Sequence, residues 1–328
     1  MAHMVETMAY AGEVPWHGLG VKVSDDLTPK EMMKVAGLDW SVDRHPITTL
    51  VDGEEITIEG KKALVRSSDN KVLDVVGDQW IPVQNADAFE FFDEYVKAGG
   101  MTMHTAGSLK DGQIVWGLAK INESFSLFGG KDQVDSYLLL SNPHNYGRGV
   151  DVRFTPIRVV CNNTLSMSLE GKASLGISLN HKSEFDAERV RLALDEASKK
   201  METYHKMADF LSKKYYKQSE LFEYFNQVFP VTTNRAGTMN FDELMKSFQE
   251  GKKAGSRNAR TAMEVINTQP GASLAEGTWW NAYNAVTYMT NHTLGNSQDT
   301  RLQSAWFGHN KNTNINALGM AIEYAQAA

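Results

Sequence analysis

The pattern of the chain changes near residue 182, and that change limits the folds open to it. Before it, short apolar runs are cut repeatedly by Gly, Asn, Asp and Ser, the punctuation of strands and turns. After it, no Gly or Pro occurs between Ser183 and Tyr216, and apolar residues recur with a helical period. Ser183-Glu184-Phe185-Asp186 opens that stretch like a capping box. The sequence therefore predicts an α+β protein. An N-terminal domain of mixed helix and antiparallel sheet is expected over residues 5–182, and an all-helical C-terminal domain over residues 183–328; residues 1–4 read as a cloning scar.

Local signals order the first part. Thr28, Pro29 and Gly37 mark the start and stop of a short helix. Strands are expected at roughly 40–50, 54–66 with a break at Gly60, and 71–83, joined by Asp52-Gly53 and Ser68-Asp69-Asn70. Asn85 is read as the cap of an amphipathic helix carrying Phe89, Phe92 and Val96, which ends at Gly99-Gly100. The first hundred residues thus read helix, three-stranded meander, helix. Further strands are expected near 101–108, 112–121, 134–141 and 150–161, with a short helix after Asn162-Asn163. Helices follow near 218–228, 241–250, 256–267, 278–291 and 314–326.

At 328 residues and 42 % hydrophobic, the chain has the means to bury a large core. No apolar run approaches membrane-span length, and no signal-peptide pattern opens the chain. A single cysteine, Cys161, suits a reducing cytoplasm and reads as inert core. The net charge of −7 is unevenly spread. Residues 1–100 hold 18 acids and 9 bases, while residues 101–328 hold 22 and 24. Two stretches are locally basic: 199–217, with six lysines against Glu202 and Asp209, and 244–260, with five bases against Glu250. Salt screens distant charge, so such patches can bind nucleic acid on an acidic chain, or serve only as solvated helix faces.

Motifs of several enzyme classes are missing. There is no Gly-rich loop ending in Gly-Lys-Ser/Thr, no Gly-x-Gly-x-x-Gly and no Gly-x-Ser-x-Gly. The histidines are scattered and no cysteine pair exists, so no catalytic residue, metal ligand or cofactor is assigned. His17 and His144 sit in loops beside Pro, Gly and aromatics, where a structural role outweighs stacking on a base. Trp279-Trp280 heads an aromatic helix that reads as core, with one wet stacking face as the alternative.

The segment Arg153-Phe154-Thr155-Pro156-Ile157-Arg158-Val159-Val160-Cys161-Asn162-Asn163-Thr164-Leu165 carries two arginines on an otherwise apolar strand, and Arg148 precedes it in a turn-rich loop. Guanidiniums so placed call for anionic partners. Arg153 and Arg158 fall on opposite faces of a regular strand, so at most one joins Arg148 in a common site. The expected phosphate contacts are Arg148, Arg153 and Arg158, assisted by Lys61, Lys62, Arg66, Lys252 and Lys253. Tyr146 and Trp16 are the expected stacking residues.

Pro15-Trp16-His17-Gly18-Leu19-Gly20, the segment Phe154–Leu165, Trp280-Asn281-Ala282-Tyr283-Asn284-Ala285-Val286-Thr287, Arg301 and Phe307-Gly308 together resemble a phage/plasmid-like family of unknown function over about residues 10–325. The turn Gly37-Leu38-Asp39-Trp40, the meander and the following helix are similar to the core of Rad52-type single-strand annealing proteins. These resemblances imply a non-enzymatic, phage- or plasmid-encoded protein of DNA metabolism. It would bind single-stranded DNA as a ring or filament of identical subunits in the host cytoplasm, away from membranes. Two alternatives stand beside it. One is an inhibitor that binds a host defence or replication protein through the acidic half, and the other a metal-dependent enzyme acting on nucleotides or nucleic acid.

Overall fold

Helix α1 (Pro29–Val35) begins as its residues require. Thr28 Oγ1 accepts from the Glu31 amide at 3.3 Å, and the Glu31 carboxylate accepts from the Thr28 amide at 2.9 Å, a closed capping box with Pro29 in the first turn. The computed structural model describes residues 5–12, 19–99, 101–147, 149–158, 163–164, 176–179, 187–230, 241–295, 301, 304–305 and 308–327. Its fold is α+β, sheet-rich first and helical afterwards.

After α1 comes the expected meander, β3 (Val42–Val51), β4 (Glu54–Arg66) and β5 (Val72–Gly77), preceded in the chain by β1 (Val5–Ala11) and β2 (Val21–Val23). Asp52 and Gly53 have φ of 53° and 85°, the two left-handed residues that a tight hairpin turn needs. Gly60, at φ 74°, marks a break in the ladder: pairing passes from Pro46↔Lys62 to Thr48↔Thr57. One face of the meander packs inward through Val42, Leu64, Leu73 and Val76, against Met32, Trp40 and the Phe89 and Phe92 rings of α2 (Asn85–Gly99).

The larger sheet adds β6 (Thr102–Leu109), β7 (Ile114–Leu127), β8 (Asp132–Pro143), β9 (Val150–Arg158), β10 (Asn163–Thr164) and β11 (Gly176–Leu179). Its order is β10-β9-β8-β7-β6-β1-β2, with β11 also on β9. Strand β1, absent from the sequence reading, runs antiparallel to β6 and parallel to β2. Gly107 allows β1 to lie that close, because a Cβ there would stand 2.4 Å from the Thr7 carbonyl and from the Trp116 ring. Asn163 and Thr164 pair with β9, and the short helix expected after Asn162-Asn163 falls on residues 165–175, which lie outside the described residues.

The helical part comprises α3 (Ala187–Ser212), α4 (Gln218–Val228), α5 (Phe241–Gln249), α6 (Arg257–Val265), α7 (Trp279–Tyr288) with a π-helical turn over Met289–Thr293, and α8 (His309–Ala327). Every residue from Trp279 to Thr287 is buried. Trp279 stacks on Tyr324 at 5.1 Å and meets Tyr224 edge-on at 5.4 Å, while Trp280 Nε1 donates to Asp132 at 2.9 Å. The aromatic helix is therefore core over that stretch, with no wet stacking face.

By contact the chain divides into two units that exchange segments. One is Met1–Glu123, Ser136–Thr155 and Lys172–Ser198; the other is Ser124–Asp135, Pro156–Gly171 and Lys199–Ala328. The boundary expected near residue 182 lies outside the described residues. Among the described residues no helix is long and apolar enough to cross a membrane.

Candidate nucleic-acid interface

Arg66, expected on a phosphate, is fully engaged within the first unit. Its Nη1 and Nη2 reach the two Glu6 oxygens at 2.8 and 2.9 Å, and its Nε and Nη2 reach the two Asp69 oxygens at 2.9 and 2.6 Å. Two fork-on-fork pairs use four of the five guanidinium N–H groups. The guanidinium is buried and lies 5.4 Å from the Trp40 ring centre. Gly112, at φ 90°, makes room for it, since a Cβ there would meet Nη1 at 2.6 Å. The hydrogen bonds to Asp69 and Glu6 raise the Arg66 pKa, and the same bonds pull the Asp69 carboxyl down to about 2. Arg66 is thus a structural anchor, and the expectation of a phosphate contact is corrected.

Asn85 and His144 form a second buried anchor. Asn85 Nδ2 donates to the Leu38 carbonyl at 3.0 Å, so Asn85 Oδ1 is an acceptor, taking Asn142 Nδ2 at 3.2 Å and His144 Nε2 at 2.9 Å. His144 therefore carries its proton on Nε2. Asn85 spends its amide on these distant groups instead of capping α2. His144 is buried, 5.3 Å from the Trp40 ring, in the structural role anticipated for it. Two residues on, the loop turns outward: Tyr146 is 72 % exposed, and its amide donates to Asp74 of β5 at 2.6 Å. Tyr146, expected as a stacking residue, thus has an exposed ring on an anchored backbone.

Lys61 and Lys62 stand on β4, Lys61 exposed and Lys62 half-buried. They border a hairpin whose far end carries Asp52, Glu54, Glu55 and Glu59, all exposed, so their surroundings are acidic. Arg153 pairs through the backbone with Gly176 and Arg158 with Asn163. Arg148 and Trp16, like His17 and Cys161, lie outside the described residues.

The two basic stretches differ. Along α3 and the turn after it, Lys206 pairs with Glu202 at 2.7 Å, Lys213 with Asp209 at 2.6 Å and Lys217 with Glu220 at 3.0 Å. Three of the six lysines of that stretch are thus paired within three or four residues along the chain. The α5–α6 turn is otherwise. Gly251 (φ 68°) donates to the Phe248 carbonyl at 3.0 Å and Lys252 to the Ser247 carbonyl at 2.9 Å, which closes the end of α5 as a Schellman motif. Ala254 is buried with Phe222 and Leu244. Gly255 (φ 82°) packs on Asn226, and Ser256 caps α6 by accepting from the Ala259 amide at 3.0 Å while donating to the Phe229 carbonyl at 2.6 Å. The turn is thus held at both ends, and Lys252 and Lys253 are exposed on it, with Lys246 and Arg257 exposed on the flanking helices. Lys252 pairs with Glu250 at 2.6 Å, and both groups are solvent-exposed. Lys246 and Arg257 entered the sequence reading only as part of a charge count; the Gly-x-x-x-Gly-Ser spacing that fixes the turn was the signal for them.

The family described as a domain of unknown function, DUF932, matches residues 72–306. The chain belongs to the DUF932 family. No curated protein and no solved structure matches it. The DUF932 stretch opens at β5 and includes the Tyr146 loop and the α5–α6 turn, whereas α1, β3 and β4 precede it. Among the described residues of this DUF932 chain, no three His, Cys, Asp or Glu side chains are grouped to hold a metal ion.

Proposed function

We propose that this protein binds single-stranded nucleic acid, DNA in the first instance, and that the α5–α6 turn contacts its phosphates. The carrying observation is that turn: Lys252 and Lys253 exposed on a backbone closed by Gly251, Ala254, Gly255 and Ser256, with Lys246 and Arg257 beside them. A phosphate met there costs little ordering of the chain, because the backbone is already fixed. In the other unit, exposed Tyr146 is a separate ring of the kind on which a base stacks. Lys61 and Lys62 receive no phosphate contact in this reading, since four carboxylates share their hairpin. The resemblance to phage- and plasmid-borne proteins, and of the α1–meander–α2 order to Rad52-type annealing proteins, supports recombination or strand annealing in a host cytoplasm as the setting.

The test is fluorescence anisotropy with a labelled single-stranded oligonucleotide at low salt. The wild-type chain binds, and the double variant Lys252→Glu/Lys253→Glu binds at least about tenfold more weakly with unchanged circular dichroism. An unchanged affinity in that variant removes the turn from the site. No binding by the wild type removes the reading.

A further inference from the structure

The connection between α3 and α4 sets an aromatic ring in solvent on a backbone that is held in place. The Lys214 carbonyl accepts from the Trp279 amide at 2.9 Å, and the Tyr216 amide donates to the Gly277 carbonyl at 3.0 Å. Tyr215 thereby stands opposite Thr278 in a short antiparallel bridge. Successive side chains of an extended segment point to opposite sides. Tyr216 turns inward and meets Trp279 edge-on at 5.9 Å, while Tyr215 turns outward and is 68 % exposed. Gly277 (φ 77°) lies against that ring, since a Cβ there would stand 3.3 Å from Tyr215 Cδ1. A ring ordered from below and bare above is a stacking platform.

Beside it, within the same unit, opens a cleft of about 540 Å³, a size usual for small-molecule sites. Leu127 and Phe128 at the turn between β7 and β8 line one side, and Asp209, Ser212, Lys213 and Tyr215 line the other. Charge selects the occupant. Lys213 is bonded to Asp209 at 2.6 Å and Lys217 to Glu220 at 3.0 Å, while Lys214 lies over the Phe210 ring at 5.7 Å. Exposed Lys131 on the hairpin and exposed Glu276 beside Gly277 are of opposite sign. The cleft is therefore close to neutral, unlike the α5–α6 turn, and an anion gains little there. It does offer an acceptor, the Asp209 carboxylate, and a donor, the Lys213 ammonium, next to an aromatic face. A nucleobase fits that description: an uncharged plate whose edge carries donors and acceptors together. We propose that this cleft takes a base of the bound single strand, stacked on Tyr215, while the α5–α6 turn of the same unit holds phosphates. The proposal rests on the reading that the chain binds single-stranded nucleic acid, and adds to it the place of a base.

The experiment is oligonucleotide anisotropy with two variants of the full chain. Tyr215→Ala, which loses one base–aromatic stack, binds about ten- to a hundredfold more weakly, and Tyr215→Phe, which keeps the ring, stays within about twofold of wild type. The slope of log K against log salt is the same for wild type and Tyr215→Ala, because no phosphate contact is lost. A strand of equal length made of abasic sites keeps the phosphates and lacks the bases, so wild type and Tyr215→Ala bind it equally. Circular dichroism is unchanged in both variants, since the side chain is exposed. If the wild type binds, the proposal alone is overturned by any of four results: full affinity in Tyr215→Ala, Tyr215→Phe as weak as Tyr215→Ala, a shallower salt slope in Tyr215→Ala, or the same loss on the abasic strand. A wild type that binds no strand overturns the nucleic-acid reading and this proposal with it.

Discussion

Removing the Arg66 guanidinium would leave Glu6 and Asp69 facing each other with no cation between them, and would strip the Trp40 ring of its cover. Fully buried pairs broken from one side lose about 3–5 kcal/mol; Asp69 is about half exposed, so Arg66→Ala is expected to lose about 2–3 kcal/mol in urea unfolding. The pH dependence has a definite sign. Asp69 titrates from its ordinary 3.8 down to about 2 because Arg66 hydrogen-bonds its ionised form. A depressed carboxyl contributes stability that is complete above the unfolded value and fades as pH falls toward the folded one. Wild type should therefore lose more stability than Asp69→Asn between pH 4 and pH 2; equal slopes would show that the pair contributes nothing there. None of this was legible in the sequence, where Arg66 was one more cation near a turn. Its decisive partner, Glu6, is 60 positions away, and only the pairing of β1 with β6 and of β4 with β3 gives each its place. Asn85 misled in the same way: an Asn at a helix start reads as a cap, yet its partners Leu38, Asn142 and His144 are distant in sequence.

Elements whose chemistry closes locally were the readable ones. Thr28 with Pro29, Asp52 with Gly53, and the break at Gly60 each involve residues within a few positions, and each appears as expected. Strand β1 was invisible because Val5–Ala11 has no turn partner nearby and finds its ladder about a hundred residues later. The α5–α6 turn falls between these cases. The break between its helices, expected at 241–250 and 256–267, was visible, but the Asn226 side chain against Gly255 was not. Gly255→Ala places a Cβ 2.2 Å from Asn226 Oδ1 in a left-handed backbone, whereas Gly129→Ala, at φ 68°, meets no atom within 4 Å. Both changes should cost about 1 kcal/mol or more of backbone strain in thermal unfolding. Only Gly255→Ala should also weaken oligonucleotide binding, several-fold, because it alone displaces the turn that carries Lys252 and Lys253. Equal affinities for the two variants would separate the turn from the site.

Across the whole molecule, charge follows function as proposed. The acidic excess lies in the first hundred residues, and the cations of 244–260 lie on a turn built to hold still. The α+β organisation and the change of character after the sheet were legible from periodicity alone. The exchange of segments between the two units was not, because the β7–β8 tip, Ser124–Asp135, joins the helices through contacts such as Asp132 with Trp280 that no local pattern announces. The most direct test of the central claim is the salt dependence of binding to one single-stranded oligonucleotide, wild type against Lys252→Ala/Lys253→Ala. If both lysines neutralise phosphates, the slope of log K against log salt is shallower in the variant by about 1.4. Parallel slopes, or a wild-type affinity that salt does not change, would contradict the account.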